Sequence, residues 1–227
     1  MLRRPGTDDA ARKEARKAAG RDISTPEARR AARQHVLWRD HGILRTFWTN
    51  FGEVAPGVYR SNHPDHARLT RYRDMGIKAV LNLRGTPQMA HHLFEVESCA
   101  ELGLDLVSVA LHARRPAKKE EMQRLFAAFD QIARPFVMHC KSGADRAGLA
   151  AALYLLDQGA PIDRARKELS LRYLHLRFTK TGVQDHMLDL FEARQAQGAI
   201  SIRDWVAREY DPDVLAQSFA RQRILPV

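Results

Sequence analysis

Ten residues, His139 to Gly148, carry the chain's most reactive arrangement: His-Cys-Lys-Ser-Gly-Ala-Asp-Arg-Ala-Gly. The thiol of Cys140 is followed, after five residues, by the guanidinium of Arg146. An apolar run, Pro135 to Met138, precedes the cysteine and reads as a short buried strand. A helix-patterned run, Leu149 to Gln158, follows. The segment is therefore predicted to be strand, tight loop and helix N-terminus. The first N–H groups of a helix lack an internal acceptor, and with the helix dipole they form an anion site. Gly143 and Gly148 let the backbone curl so that successive N–H groups line a concavity. Arg146 adds a planar fork suited to two oxygens of a tetrahedral oxyanion. The same positive surroundings favour the thiolate, the nucleophilic form of Cys140. Lys141, Ser142, Gly143, Ala144, Asp145 and Arg146 form the expected wall of the cradle, with Lys141 raising the local potential. The Asp145 carboxylate would itself repel an anion, so it is expected to pair with a neighbouring arginine. His139 is expected to turn away from the cradle and support the loop.

His-Cys-x5-Arg resembles the signature of the cysteine-dependent protein tyrosine and dual-specificity phosphatases, and HCKSGADRAG is similar to the compact bacterial members. Two upstream segments, Val58 to Pro64 (VYRSNHP) and Val80 to Gly85 (VLNLRG), look like parts of the same branch. The likeness thus spans roughly Phe51 to Leu176. It implies that Cys140 attacks phosphorus to form a cysteinyl-phosphate, that Arg146 grips the phosphoryl oxygens, and that water later releases phosphate. Two positions depart from the pattern. Ala147 stands where the family usually has Ser or Thr, whose hydroxyl helps the thiolate leave. The loop Leu111-His112-Ala113-Arg114-Arg115-Pro116-Ala117 lacks the aspartate that usually serves as general acid. His112 is the first candidate to replace it, because an unperturbed imidazole titrates near neutrality. Glu120, Glu121, Asp105 and Asp145 are further candidates. A substrate with a good leaving group would need less help from an acid.

The elements that must hold these residues fit within 227 residues, enough for one well-buried domain with extensions or two very small ones. Hydrophobic residues make up 44% and charged residues 28%, which excludes a disordered chain. The net charge of +10 favours anionic partners: phosphorylated substrates, an acidic membrane surface or nucleic acid. Aromatic content is only 7% and no base-stacking motif is present, so no specific nucleic-acid partner is expected. The two cysteines, Cys99 and Cys140, are too few for a disulfide framework. A reduced nucleophile suits the cytoplasm, and a peripheral place at the inner face of the membrane is a second reading. Cys99 is expected to be a small buried residue on a helix, with a resolving thiol as the alternative. No His, Cys and carboxylate set has metal-site spacing, so neither a metal nor a cofactor is expected. Neither a signal peptide nor a run of the ~20 apolar residues needed to span a bilayer is visible.

Three parts are expected: a basic N-terminal extension with an amphipathic helix (1–50), the phosphatase core (51–180) and a C-terminal helical extension (181–227). The alternation of strand and helix patterns predicts an α/β core, a parallel or mixed sheet with helices on both faces. The first 33 residues hold ten basic and five acidic side chains and are expected to be disordered or a frayed helix. Thr25-Pro26 marks a helix start, predicted to run to about His41. The aromatic and basic cluster from Val36 to Phe51 either packs on the core or docks on anionic lipid, the latter through residues 26–51. Arg84 ends a buried strand and either adds charge to the substrate site or ties down the loop. Residues Ile162 to Arg177 read as one basic helix, with His175 at the surface or in packing. The first functional reading is a phosphatase of phosphotyrosine or dual-specificity protein substrates. The alternatives are a phosphatase of a lipid, glycolipid or other small phosphate at a membrane surface, and a phosphate-binding pseudophosphatase or adaptor. Oligomeric state is not legible in the sequence.

Overall fold

The computed structural model describes residues 20–224; the expectation for the basic segment before residue 20 lies outside the described residues. Five strands form one mixed sheet: β1 (Gly52–Ala55), β2 (Val58–Asn62), β3 (Ala79–Asn82), β4 (Asp105–Ser108) and β5 (Phe136–Cys140). Their order is β1-β2-β5-β3-β4. β1 and β2 make a hairpin about Pro56-Gly57, and the remaining pairs are parallel. β5 is central, and all five of its residues are buried, as a strand covered on both faces requires. Its period of two sorts the side chains. Phe136 and Met138 enter the larger core cluster, and Val137 joins Leu69, Tyr72, Ile77 and Cys99 in the smaller one. The parallel register aligns Cys140 with Asn62 and His139 with Asn82, so three strand ends share one edge of the sheet.

The helices are α1 (Pro26–Gln34), α2 (Gly42–Phe47), α3 (His66–Asp74), α4 (Ala90–Leu102), α5 (Lys119–Gln131) and α6 (Asp145–Asp157). They continue with α7 (Ile162–Arg166), α8 (Val183–Gln195), α9 (Ile202–Arg208) and α10 (Pro212–Ile224). α6 starts inside the reactive loop, and every residue from Ala147 to Leu156 is buried. It is apolar on all sides because the sheet, α5, α7 and α9 enclose it. Cys99 lies buried on α4, and burial pushes its thiol up to about 12, which leaves it unreactive.

Two helix expectations are corrected. The helix from Thr25 does start there, with the Thr25 hydroxyl accepting from Ala28 N at 3.1 Å. It ends at Gln34, however, passes through a π-helical turn (His35–Arg39), and a separate helix begins at Gly42. The chain reverses so tightly that a Cβ on Gly42 would lie 2.7 Å from the Val36 carbonyl oxygen. Likewise, the segment after Pro161 is helical only to Arg166, with a single 3-10 turn at Leu171–Tyr173. The Glu168 carbonyl that a longer helix would use accepts from Arg60 Nη1 at 2.6 Å instead.

Candidate active site

The loop after β5 is held from outside by its carbonyl groups. Lys141 O accepts from His63 N at 3.4 Å, and Ser142 O from Asn50 Nδ2 at 2.9 Å. Gly143 O and Ala144 O both accept from Arg60 Nη2, at 2.5 and 3.1 Å. A peptide's N–H points opposite to its carbonyl, so this bonding turns the N–H groups toward the inner concavity. Gly143 sits at φ +74°, and a Cβ there would lie 2.7 Å from Asn62 N and 2.8 Å from Asn50 Cβ. Only glycine fits that turn. Arg60 is fully buried; it pairs with Glu168 at 2.6 Å and lies 3.6 Å above the Tyr173 ring. Arg60 lies within the VYRSNHP segment, where the sequence alone assigns it no role. A cationic residue inside a strand pattern was the available signal. Asn50, with a left-handed φ of 49°, left no such signal.

Cys140 is buried at the end of β5, at the base of this concavity. Arg146 projects from the first turn of α6, and its Nε is buried without a partner among the described residues. A buried donor left unpaired costs about 1–3 kcal/mol, a cost that a bound oxyanion would remove. Ala147 is wholly buried in the core, so no hydroxyl reaches the cradle from that position. Ser142 Oγ accepts from Ala144 N at 3.4 Å, inside the loop.

Charge clusters flank the cradle on two sides. Arg84 forms a two-pronged pair with Asp40 (2.7 and 2.9 Å), and Asp40 also meets Arg45 at 3.0 Å and Lys141 Nζ at 3.4 Å. Burial works against the Asp40 charge, but Arg84 and Arg45 outweigh it and hold the carboxyl far below its usual range. Arg84 is thus paired with Asp40 and links the N-terminal segment to the end of β3, beside Lys141. Behind the loop, His139 Nε2 lies 2.5 Å from Glu95 Oε1, and His139 Nδ1 is 3.5 Å from Cys140 O. His139 thus faces Glu95 on α4. Burial pushes Glu95 up, but His139 and His63 more than reverse that, so it is ionised. Burial drives His63 well below its ordinary value, against the opposing pull of Glu95. Ligand atoms of His63, Glu95 and His139 converge within 4.8 Å. Two ligands bonded at ~2.0 Å to one tetrahedral zinc would stay about 3.3 Å apart, wider than the His139–Glu95 contact. The cluster is a close His139–Glu95 contact with His63 beside it. A cleft of about 590 Å³ between α1–α2 and α3–α4 opens over His63, His91 and Glu95; Cys140 and Arg146 do not line it.

The candidate acids separate clearly. His112 is partly exposed, contacts Arg115, and lies 3.5 Å from Glu121 Oε1. Burial and Arg115 lower its pKa against the pull of Glu121, and Arg146 lowers it further. That last influence puts His112 within electrostatic reach of Arg146. Glu121 is buried and caps α5 by accepting from Lys118 N at 2.9 Å, while Glu120 is exposed. Asp105 pairs with Ala79, at the end of the sheet away from the loop. Asp145 does not pair with an arginine as expected. Its Oδ1 lies 2.9 Å from His175 Nδ1, and His175 Nε2 lies 2.7 Å from Asp185 Oδ2. His175, expected at the surface or in packing, is buried between two carboxylates. Burial opposes its charge, but both aspartates raise its pKa to about 9. Its position as a charged link between the loop and α8 was not legible, because Asp185 is distant in sequence.

Residues 54–188 match the family described as PTP-SAK, the Swiss Army Knife protein, DSP-PTPase phosphatase domain. The chain belongs to this family, a branch of the cysteine-dependent phosphatases. Among solved structures it is similar to a DUF442 protein from Shewanella putrefaciens CN-32, with 24% identity, a TM-score of 0.53, and coverage of 66% of this chain and 95% of that one. Tk-PTP in its active form gives 16%, 0.51, and coverage of 65% and 99%. The catalytic core of Siw14 from S. cerevisiae gives 15%, 0.50, and coverage of 79% and 95%. At these identities the likeness is one of fold. No curated protein matches the chain. Among the described residues, no helix is long and apolar enough to cross a membrane.

Proposed function

We propose that the protein hydrolyses phosphate monoesters through a cysteinyl-phosphate on Cys140. The observation that carries this reading is the cradle: loop carbonyls bonded outward by Asn50 and Arg60, and the buried, unpaired Arg146 Nε six residues after the Cys140 thiol. Three phosphoryl oxygens fit such a donor set, and the charge that builds on them in transfer is met without rearrangement. The Cys140 thiolate attacks phosphorus and the ester P–O bond breaks. Protonated His112 gives its proton to the leaving oxygen. Neutral His112 then takes a proton from water as that water attacks the phosphocysteine, releasing phosphate and restoring the thiolate. The lowered pKa of His112 suits the second step at neutral pH and places acid assistance on the acidic side. Phosphotyrosine and dual-specificity protein substrates fit this chemistry. The uncovered apolar rim described below favours a phosphate presented at a lipid surface.

The test is p-nitrophenyl phosphate hydrolysis in the presence of a chelator, across the acidic to neutral range. Cys140→Ser is expected to be inactive. His112→Gln is expected to lose about 10²-fold in kcat, together with the pH limb that belongs to the imidazole. Turnover retained by Cys140→Ser would refute the nucleophile. Wild type that binds phosphate without turnover would establish the adaptor reading instead.

A further inference from the structure

Large apolar side chains stand exposed on two segments, far apart in sequence, that both bond to the cradle loop. One holds Trp38, Leu44 and Phe47, the last 89% exposed. The other holds Leu171, Leu174 and Phe178, the last 78% exposed. Both are fastened to the same loop. Asp40, two residues beyond Trp38, meets Lys141, and Asn50, three beyond Phe47, bridges Ser142 O and Tyr173 O. Tyr173 stands between Leu171 and Leu174, and His175 ties the second segment to Asp145. Half of the N-terminal cluster packs inward as one reading anticipated, with Phe51 stacked on Tyr59 and Tyr72. The other half does not. Leu174 is also held at φ +58°, a conformation that L side chains rarely adopt, while more than half exposed.

Charge indicates what covers this rim. Arg39, Arg172, Arg177 and Lys180 are exposed among the apolar residues, Arg177 with Asp189 beside it. The whole chain carries +10. Apolar side chains interleaved with cations are the composition of a surface that sits on anionic lipid.

We propose that this rim seats the protein on an anionic bilayer, so that Cys140 meets the phosphomonoester of a lipid headgroup. The proposal rests on the phosphatase reading and deepens it. The test uses the full chain with phosphatidylcholine vesicles, with and without phosphatidylglycerol, and with phosphatidic acid as the reporting substrate. Wild type is expected to float with the anionic vesicles and to stay in solution with the neutral ones. The double variant F47S/F178S is expected to lose at least tenfold in partitioning, and a comparable factor in phosphatidic acid hydrolysis, while p-nitrophenyl phosphate turnover is unchanged. Wild type that turns over p-nitrophenyl phosphate but ignores anionic vesicles overturns the docking and leaves the phosphatase reading standing. Binding that the double variant retains overturns the rim and assigns attachment to charge alone. A mass that rises with concentration by light scattering, and falls in the double variant, overturns the membrane in favour of a second copy. Floating protein inactive on both substrates overturns the lipid-substrate claim through the phosphatase reading itself.

Discussion

Two arginines show how position decides the work of one side chain. Arg60 is spent on structure, with its donors on Glu168 and on the carbonyls of Gly143 and Ala144. Both arginines have a buried Nε without a partner among the described residues, but only Arg60 has its Nη groups taken up by hydrogen bonds there. Arg146→Lys replaces a planar fork with a point donor, and is expected to cost about 10²–10³ in kcat with little change in stability. Steady-state kinetics and thermal melts read the two effects separately. Arg60→Met leaves Glu168 buried and unpaired and is expected to destabilise the protein by about 3–5 kcal/mol, measured by denaturant unfolding. Gly143→Ala meets Asn62 N and Asn50 Cβ, and the left-handed φ alone costs an L side chain about 1–2 kcal/mol. That variant is expected to lose phosphate binding, read by isothermal titration. Cys140 and Arg146 stood out in the sequence because their partners are their immediate neighbours. Arg60, Glu95 and His175 did not, because what defines each lies on another element.

At the scale of elements, local patterns were legible and the folding together of distant segments was not. The strand before Cys140, the helix after the loop and the helix start at Thr25-Pro26 all follow from apolar runs and capping residues. The two expected long helices failed where tertiary contacts competed for the backbone, at the tight approach of Gly42 to Val36 and at the Glu168 carbonyl taken by Arg60. The N-terminal segment is part of the site's frame, since Asp40 pairs with Arg84, Arg45 and Lys141. Asp40→Asn removes the shared carboxylate and leaves two buried guanidinium groups uncompensated. A loss of about 3–5 kcal/mol is expected, with faster hydrogen exchange at residues 35–47. Unchanged exchange there would show that the segment is held by apolar contact instead.

For the whole molecule, the buried charges set the pH range of stability. The folded pKa of His175, about 9, lies above its ordinary 6.5. Its pairing with Asp145 and Asp185 is therefore fully stabilising below about 6.5 and is lost as pH rises through about 9. The effect is on the order of 3 kcal/mol. Asp40 and Glu95 lie below the carboxylate range, so their contribution is present above it and is lost as acid protonates them. Urea midpoints are expected to peak near neutrality and fall toward alkaline pH, and His175→Gln is expected to flatten the alkaline fall. An unchanged alkaline slope in that variant would assign it to other groups. The same buried network braces the loop on which the proposed chemistry depends. The most direct measurement of that chemistry is an acid quench of wild type during turnover of p-nitrophenyl phosphate, followed by peptide mass spectrometry. The account expects a nitrophenolate burst matching the enzyme concentration and a phosphoryl group on Cys140, both absent in Cys140→Ser. Steady turnover with no phosphorylated cysteine, or a phosphoryl group on another residue, would contradict it.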